Sequence, residues 1–306
     1  MEKRLIAQGS EKGKSYTIVL PSQWVKEYKL NKTKTVDLQI IENRIIISPK
    51  AEKTPEYWEF DGDDVKIILR RLCAALYRYG AKEIRFDFTD PEVFSEIKAS
   101  FELVLFGFEI TEQGKNFCVI KEILSETEEK FDEVLKRSFH LLLLSASEII
   151  EAVKTGNTAQ LQATIDRDYT LNRTTNYCER ILITRGHPQF KKIPFYFLFL
   201  RSLEYMGNEI KGICYYLIER KKKISEINIE LLEEINRNIH DFYDLYYDFD
   251  LKKANAIGNK LMAMRESPLK LFNQKYDNRI VHHITAFSET LIKQLGNVIV
   301  IKLKEK

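Results

Sequence analysis

Residues 131–150, FDEVLKRSFHLLLLSASEII, decide the fold class because their apolar side chains recur every three or four positions. That spacing places them on one face of an α-helix. Ser125 and Glu128 form a capping-box pattern ahead of this stretch, and Gly156 follows it. We therefore predict a helix from about residue 126 to residue 154.

The same periodicity continues to the end of the chain, broken by short polar stretches. It predicts five further helices, over about 158–185, 193–221, 225–249, 251–265 and 278–301, with Ser267-Pro268 interrupting or bending the fifth. Long helices joined by short loops pack as antiparallel neighbours. Residues 124–306 are therefore predicted to form two three-helix bundles in tandem, over about 124–223 and 224–306, and the protein as a whole is predicted to be mainly α.

Residues 53–123 alternate between strand and helix patterns instead. Strands are predicted near residues 57–60, 82–88, 108–111 and 116–120, with helices over about 65–79 and 90–106. The order β-α-β-α-β-β predicts a small α/β connector domain with helices on one face of a sheet. This segment has no glycine-rich phosphate loop, so nucleotide binding is not expected.

The first fifty residues have a β pattern. Residues 15–20, SYTIVL, form a β-branched and apolar run that ends at Pro21, and Ser22 is placed to cap a short helix after it. Two further apolar runs flank Asn43 and predict a hairpin. Four short strands bury too little apolar surface to form a core alone. Either the rest of the chain or a second copy must therefore cover residues 1–52, and a dimer is the economical answer.

Charge is spread unevenly along the chain. Over all 306 residues, 48 Lys and Arg against 45 Asp and Glu leave a net charge of +3, which excludes a surface devoted entirely to nucleic acid. The first fifty residues hold ten basic against five acidic residues, whereas residues 51–150 hold thirteen against twenty-one. Any contact with a polyanion is therefore expected at the N-terminal segment.

Composition also indicates the class of protein and its cellular location. Hydrophobic residues at 44% and charged residues at 30% are typical of a globular protein rather than a disordered one. The cysteines, at positions 73, 118, 178 and 214, are too far apart for a zinc ribbon or a disulfide framework. The N-terminus shows no signal-peptide run, and apolar runs such as residues 141–144 are too short to span a membrane. We expect a cytoplasmic protein without membrane insertion.

Several motifs in the first fifty residues have the order and spacing of a known domain. They are Gly9-Ser10, residues 15–21 ending in Leu-Pro, Trp24, Leu30 and residues 45–49. These motifs resemble the AbrB-type (SpoVT/AbrB-like) swapped-hairpin DNA-binding domain. The resemblance implies an intertwined homodimer whose basic loops and strands contact duplex DNA. Thr33-Lys34 replaces the Gly-Asp turn of that family, so a turn that needs a positive φ lacks its glycine.

Basic side chains in this segment are candidate phosphate contacts on charge alone, because a lysine ammonium can position a protein on DNA without reading its sequence. The candidates are Lys3, Arg4, Lys12, Lys14, Lys26, Lys32 and Lys34. The alternative is a solvated basic face without a nucleic-acid partner.

The helical half carries two motifs that also resemble a known family. Residues 166–172 read DRDYTLN, and residues 201–208 read RSLEYMGN. Together with the order of an AbrB-type domain, a small connector and two three-helix bundles, they resemble the archaeal PhoU-type phosphate-uptake regulators. In that family the corresponding helices carry pairs of acids four residues apart. Such pairs share a helix face and gather carboxylates that can hold iron, zinc or magnesium.

This chain keeps only part of those acid pairs. Asn172 and Asn208 stand where the second acid of each pair belongs, and an amide carries no negative charge. The remaining candidates for a divalent or ferric ion are Asp166, Asp168 and Glu204. We favour the alternative in which these acids bind no metal or other cofactor. They would instead make polar contacts or salt bridges with Arg173, Arg180 or Arg201.

These patterns predict a non-enzymatic protein. No catalytic residue is assigned, because His140 and His187 have no nucleophile or acid at a recognisable spacing. The two resemblances together imply a homodimeric, DNA-binding transcriptional regulator of phosphate uptake. Its helical half would act as a sensor or would dock phosphate-transport or signalling proteins. The alternative is a protein-interaction adaptor of phosphate-transport signalling in which the AbrB-like part only dimerises.

Overall fold

The computed structural model describes residues 4–8, 14–41, 44–49, 57–123, 131–220, 224–269 and 278–303 of the 306-residue chain. The chain divides into two compact units, an N-terminal unit over Met1–Thr54 and a C-terminal unit over Pro55–Lys306. The expected boundary at residue 123 lies inside the C-terminal unit. The division into domains at 1–52, 53–123 and 124–306 stays a prediction.

The described part of the N-terminal unit consists of two antiparallel hairpins with two short helices between them. Its elements are β1 (Ile6–Gln8), β2 (Ser15–Thr17), α1 (Ser22–Glu27), α2 (Leu30–Thr33), β3 (Asp37–Ile41) and β4 (Arg44–Ser48). Ile6 lies opposite Thr17 in the first hairpin, and Ile40 lies opposite Ile45 in the second. The predicted second hairpin is therefore confirmed, while its turn at Asn43 lies outside the described residues.

Two local predictions in this unit are wrong. Ser22 is not an N-cap but the first helical residue of α1; Pro21 occupies the cap position, and no side chain caps the helix there. Proline suits this place because its fixed φ is compatible with entry into a helix. The strand β2 ends at Thr17 instead of continuing to Leu20, because β1 offers it a partner over only three residues.

The C-terminal unit begins with a layer of sheet and helices. Its elements are β5 (Tyr57–Asp61), α3 (Gly62–Val65), a 3₁₀ turn (Lys66–Ile68), α4 (Leu69–Tyr79), β6 (Glu83–Asp87), α5 (Pro91–Val104), β7 (Phe108–Gln113) and β8 (Phe117–Glu122). The sheet has the order β5-β6-β8-β7, with β5 parallel to β6 and the other neighbours antiparallel. The predicted β-α-β-α-β-β order is confirmed, although the first helix is broken into three pieces.

Local signals explain where the helices of this layer begin and end. Asp61 accepts a hydrogen bond from the backbone N–H of Asp63, and Asp90 accepts one from that of Glu92, each at 2.9 Å. Each aspartate therefore caps the helix that follows it. Gly80 ends α4 with a φ of +103°, a conformation that side chains disfavour.

Six long helices make up the rest of the described C-terminal unit. They are α6 (Phe131–Thr155), α7 (Thr158–Thr184), α8 (Ile193–Arg220), α9 (Glu226–Tyr247), α10 (Leu251–Leu269) and α11 (Asn278–Lys302). The six predicted helices are confirmed, but the predicted end of the fifth near Arg265 is wrong. α10 continues through Pro268 to Leu269, because a proline next to the last residue removes only one intrahelical hydrogen bond. The capping box at Ser125 lies outside the described residues.

The long helices form two three-helix bundles. α6, α7 and α8 pack against one another, as do α9, α10 and α11, while contacts of α8 with α11 and of α6 with α9 join the two groups. α7 also packs on α4 and α5, the helices of the α/β layer. The predicted tandem bundles are therefore confirmed, and α7 joins the first bundle to the α/β layer.

Among the described helices, α11 is long and apolar enough to cross a membrane by length and composition. Its residues Ile284, Phe287 and Leu291 are buried in the bundle. The apolar core helix of a globular protein has the same length and composition.

Candidate functional site

The N-terminal unit leaves its apolar side chains exposed. Among its described residues only Leu30 is buried. Ile40 and Ile45, which lie opposite each other across the second hairpin, are 72% and 64% exposed. The other large apolar residues exposed here are Leu5, Ile6, Tyr16, Ile18, Val19, Tyr28, Val36, Leu38 and Ile46. Soluble proteins rarely leave such a concentration of apolar groups in water, so these surfaces are suited to being covered.

The predicted DNA-contacting residues are all exposed wherever they are described. Arg4 precedes β1, Lys14 precedes β2, Lys26 lies in the last turn of α1, Lys32 lies in α2, and Lys34 follows α2. Lys3 and Lys12 lie outside the described residues. The structure therefore places these five cations on the edges of the hairpins and on the two short helices, without a side chain that covers them.

The helix α2 is flanked by two lysines in the left-handed conformation. Lys29 has a φ of +54° and precedes the helix, and Lys34 has a φ of +53° and follows it. The backbone N–H of Lys34 donates to the Leu30 carbonyl oxygen at 2.8 Å, which closes the helix. The sequence indicated a positive φ at Thr33-Lys34, and the structure assigns it to Lys34. A left-handed backbone costs roughly 1–2 kcal/mol for a residue with a side chain.

Lys29 is a cation that the sequence reasoning left out. It is exposed and belongs to the same helical segment as Lys26 and Lys32. Over residues 14–41 five lysines stand against Glu27 and Asp37, and within the described part of the N-terminal unit no ion pair neutralises them. Unpaired positive charge on so small a unit attracts a polyanion. The high density of lysines over residues 14–41 was the sequence signal that could have identified Lys29.

The metal candidates lie at the contact between α7 and α8. Asp168 is only 3% exposed, and its carboxylate accepts hydrogen bonds from the Lys211 ammonium and, at 3.2 Å, from the Asn172 amide. The same ammonium donates to the Asn208 Oδ1 at 2.7 Å. The cation between Asp168 and Asn208 is therefore a lysine side chain, which would repel a metal ion at the same place.

Asp166 and Glu204 do not join Asp168 in a common cluster. Asp166 is exposed and accepts a hydrogen bond from the Gln162 amide at 3.1 Å. Glu204 pairs with Arg201 at 2.5 Å, as the sequence reasoning expected. Over the part of the chain that the structure describes, no three histidine, cysteine or acidic side chains group in a way that could hold a metal ion.

The ion-pair partner of Asp168 differs from the expected arginines. Lys211 lies three residues after Asn208, so both share one face of α8, and this spacing was a signal in the sequence. Arg180, one of the expected partners, is buried and donates to the Tyr77 carbonyl oxygen at 2.7 Å. It therefore joins α7 to α4 and is not available to Asp168.

A second buried carboxylate lies beside Arg180 on α7. The Glu179 carboxylate forms an ion pair with the Arg78 Nε of α4 at 3.1 Å, and the Arg201 Nε of α8 lies 3.9 Å away. Burial outweighs the attraction of both arginines and raises the pKa of Glu179 from 4.5 to about 7. The cluster connects three helices, so its contacts serve packing of the α/β layer on the bundles.

Comparison with known proteins finds one family model and one solved structure that are similar to parts of the chain. Residues 12–55 match the family of antidote-toxin recognition MazE, bacterial antitoxin. The chain is also similar to the crystal structure of the phosphate transport system regulatory protein PhoU from Streptococcus pneumoniae, at 16% identity and a TM-score of 0.45, over 57% of this chain and 98% of that one. No curated protein matches. The expected AbrB-type segment is thus confirmed as an AbrB/MazE-like domain at the N-terminus.

Proposed function

We propose that this protein is a homodimeric, DNA-binding regulator of phosphate uptake. The observation that carries the proposal is the N-terminal unit, which combines uncovered apolar hairpins with unpaired lysines and matches the MazE antitoxin family. Exposed apolar side chains together with exposed lysines suit a small domain that pairs with itself and then contacts a polyanion.

The dimer would form through the apolar faces of both hairpins. Ile40 and Ile45 are cross-strand neighbours, so a second copy could cover both at once. Burial of apolar area contributes about 25 cal/mol per Å², which makes the closing of these surfaces the main driving force for association. A two-fold dimer would then carry two sets of these lysines.

DNA binding would use the exposed cations as phosphate contacts. Arg4, Lys14, Lys26, Lys32 and Lys34 are the residues proposed from charge, together with Lys3 and Lys12 outside the described residues, and Lys29 is added by the structure. Lysines position a protein on the duplex and carry little sequence information. We therefore assign affinity and orientation to these residues, not the choice of operator.

The link to phosphate uptake rests on the order of the domains and on the helical motifs of the C-terminal unit. We propose that this unit senses a signal or docks phosphate-transport or signalling proteins, and that the protein acts in the cytoplasm. We propose no catalysis: the His140 ring is hydrogen-bonded to the Tyr243 hydroxyl at 2.8 Å and the His283 ring to Glu209 at 2.7 Å, which gives both histidines structural partners.

The test is binding of the full-length protein to duplex DNA over a series of salt concentrations. The variant Lys14→Gln/Lys34→Gln is compared with the control Lys98→Gln/Lys115→Gln, which removes the same charge from exposed positions of the C-terminal unit. We expect the logarithm of affinity to fall by about 0.9 per neutralised phosphate for each logarithmic unit of salt. The first variant should lose at least about tenfold in affinity with a smaller salt slope, and the control should not. Equal losses in both would overturn the proposal.

A second candidate function is a protein-interaction adaptor in which the N-terminal unit only dimerises. It is favoured by Ile67, which lies in the 3₁₀ turn before α4 and is 100% exposed, as a docking residue would be. An intact dimer with weak DNA binding that is insensitive to Lys14→Gln/Lys34→Gln would support this alternative.

A further inference from the structure

A small cavity lies between α6 and α7, next to Phe106. Its lining residues are Phe106, Val134, Arg137, Thr170, Arg173, Thr174 and Tyr177, and its volume is about 70 Å³. Val134 and Arg137 are three residues apart on α6, while the four residues from α7 have the spacing i, i+3, i+4 and i+7, so each helix contributes one face. We name this cavity the α6–α7 cavity.

The charged groups of the α6–α7 cavity are both arginines. Among the residues that the structure describes, no carboxylate pairs with Arg137 or Arg173. Glu133 lies one turn before Arg137 and lines the adjoining surface hollow together with Lys136 and His140, so this neighbourhood keeps a surplus of positive charge. An uncompensated pair of guanidinium groups in a concave site attracts an anion.

Arg173 supplies the sharpest observation. Its Nε is buried and has no hydrogen-bond partner, and its guanidinium lies 5.8 Å from the centre of the Phe106 ring. A buried N–H without an acceptor carries its full desolvation penalty, which is the situation in which a water molecule or an ion is expected to complete the site. The Phe106 ring limits the positions that the guanidinium can take.

The size and chemistry of the cavity select the ligand. A cavity needs about 10–15 Å³ on this measure to hold one water molecule, so about 70 Å³ is enough for a compact ion. Guanidinium groups recognise planar or tetrahedral oxyanions through paired N–H donors. The Thr170 hydroxyl lies on the same face of α7 as Arg173 and can add a further donor.

We propose that the α6–α7 cavity binds a phosphate-type oxyanion between Arg137 and Arg173, with inorganic phosphate as the ligand. Arg173 donates from within the cavity, and Arg137 closes it from the solvent side, because Arg137 is exposed and Arg173 is partly buried. Phosphate binding at this site would give the helical unit the sensing role proposed above. That role rests on the proposed function, whereas the binding site itself does not.

The position of the cavity offers a path from ligand to structure. Ser138 on α6 donates to the Thr174 hydroxyl at 2.8 Å, and Thr174 lines the cavity. Phe106 belongs to the turn between α5 and β7, and the centre of its ring lies 5.3 Å from the centre of the Tyr177 ring. An anion held there contacts both α6 and α7 and lies against the α/β layer, so its binding would stabilise the packing of these three parts on one another.

The experiment is calorimetric titration of the full-length protein, without DNA, with sodium phosphate at constant ionic strength. Chloride is the control for non-specific charge effects, and phosphoserine tests whether the site prefers a phosphoryl group attached to a larger molecule. Because no DNA is present, failure of this test is separate from failure of DNA binding. We expect one saturable phosphate site per chain and no saturable binding of chloride.

Two variants and one control locate the site. Arg173→Gln is expected to lower phosphate affinity by about tenfold or more, since it removes a charged donor from the cavity, and Arg137→Gln should lower it by a smaller factor. Arg279→Gln, which removes an exposed guanidinium from α11, should bind as the unchanged protein does.

If Arg173→Gln does not fold, Arg137→Gln decides the question together with Thr170→Val. Absence of saturable phosphate binding, equal affinity in all variants, or preference for phosphoserine would overturn the proposal.

Discussion

Lys29 and Lys34 stand in a left-handed backbone on either side of α2, where no glycine relieves the steric cost. Both side chains are exposed, so nothing within the described unit compensates for that cost by packing. Unfavourable backbone conformations that persist at exposed cations are often found where a ligand is bound. Stability and DNA affinity should therefore respond in opposite directions to a change at Lys34.

We expect Lys34→Gly to raise the free energy of unfolding of the N-terminal unit by about 1 kcal/mol, because glycine adopts positive φ freely. Affinity for DNA should fall, because one phosphate contact is lost. The measurement is urea denaturation in a Trp58→Phe background, where Trp24 is the remaining tryptophan and reports this unit.

Lys32→Gly is the matched control for Lys34→Gly, because it removes the same charge from within the helix α2. Glycine inside a helix costs about 1 kcal/mol, so this variant should be less stable while DNA affinity falls to a similar extent. If both variants change stability in the same direction, the left-handed backbone at Lys34 is not a source of strain.

Lys211 illustrates how a single side chain decides the nature of a site. Lys211→Met should lower the free energy of unfolding by about 3–5 kcal/mol, because it leaves the buried Asp168 carboxylate without its cation. Lys260→Met breaks an exposed pair with Asp241 and should cost less than about 1 kcal/mol. Urea denaturation of both variants gives the comparison, and similar losses would show that the Asp168 pair is not important for stability.

The replacement of a metal site by an ion pair was only half predictable from sequence. The sequence itself shows that Asn172 and Asn208 replace two acids. That the Lys211 amine would reach Asp168 on another helix depends on the distance between α7 and α8, which the sequence does not contain. The i and i+3 spacing of Asn208 and Lys211 identified the shared face of α8, but not the helix that faces it.

At the scale of elements, the hydrophobic periodicity predicted secondary structure correctly where it repeats over many residues. The six long helices of the C-terminal unit each repeat their apolar pattern over several turns, so each was found. The errors concern short elements, such as the 3₁₀ turn Lys66–Ile68 and the early end of β2. An element of three or four residues is too short for its own sequence pattern to determine its structure. The neighbouring strands or helices that it packs against determine it instead.

The contact between α7 and α8 requires a small residue at Gly207. A methyl group there would lie 2.5 Å from the Leu171 Cδ2 and 2.9 Å from the Asp168 Oδ1. We expect Gly207→Ala to lower the free energy of unfolding by about 1–3 kcal/mol, because the buried Leu171 and Asp168 side chains would have to shift within a packed contact. Thermal or urea unfolding of the full chain measures this change.

Gly296→Ala is the control for that element-scale prediction. Gly296 lies in α11, and a methyl group there would meet nothing within 4 Å. Since alanine is favoured over glycine in a helix by about 1 kcal/mol, this variant should gain stability. A gain in Gly207→Ala would contradict the close packing of α7 on α8, whereas a loss in Gly296→Ala would mean that this variant does not serve as a control.

At the scale of the whole molecule, the sequence showed which segments exist but not how the C-terminal unit is assembled. Arg180 and the Tyr77 carbonyl that it contacts are 103 positions apart, and neither has a pattern that indicates the other. Long-range contacts of this kind join the α/β layer to the bundles, so the predicted connector shares one compact unit with the helices. The exposure of apolar side chains in the N-terminal segment was predictable, because fifty residues can bury only a small apolar surface.

These exposed side chains give the last prediction, which concerns the proposed assembly of two chains. Ile40→Glu places a carboxylate in the apolar face of the second hairpin and should weaken dimerisation by at least about 100-fold, because a charged group would lose its hydration on association. Ile67→Glu, on a fully exposed residue of the C-terminal unit, should leave the dimer intact. Sedimentation equilibrium measures both, and DNA affinity should fall with the dimer in Ile40→Glu, since each monomer carries only half of the lysines. A dimer that survives Ile40→Glu would mean that this hairpin face is covered in another way, and the proposed mode of dimerisation would be wrong.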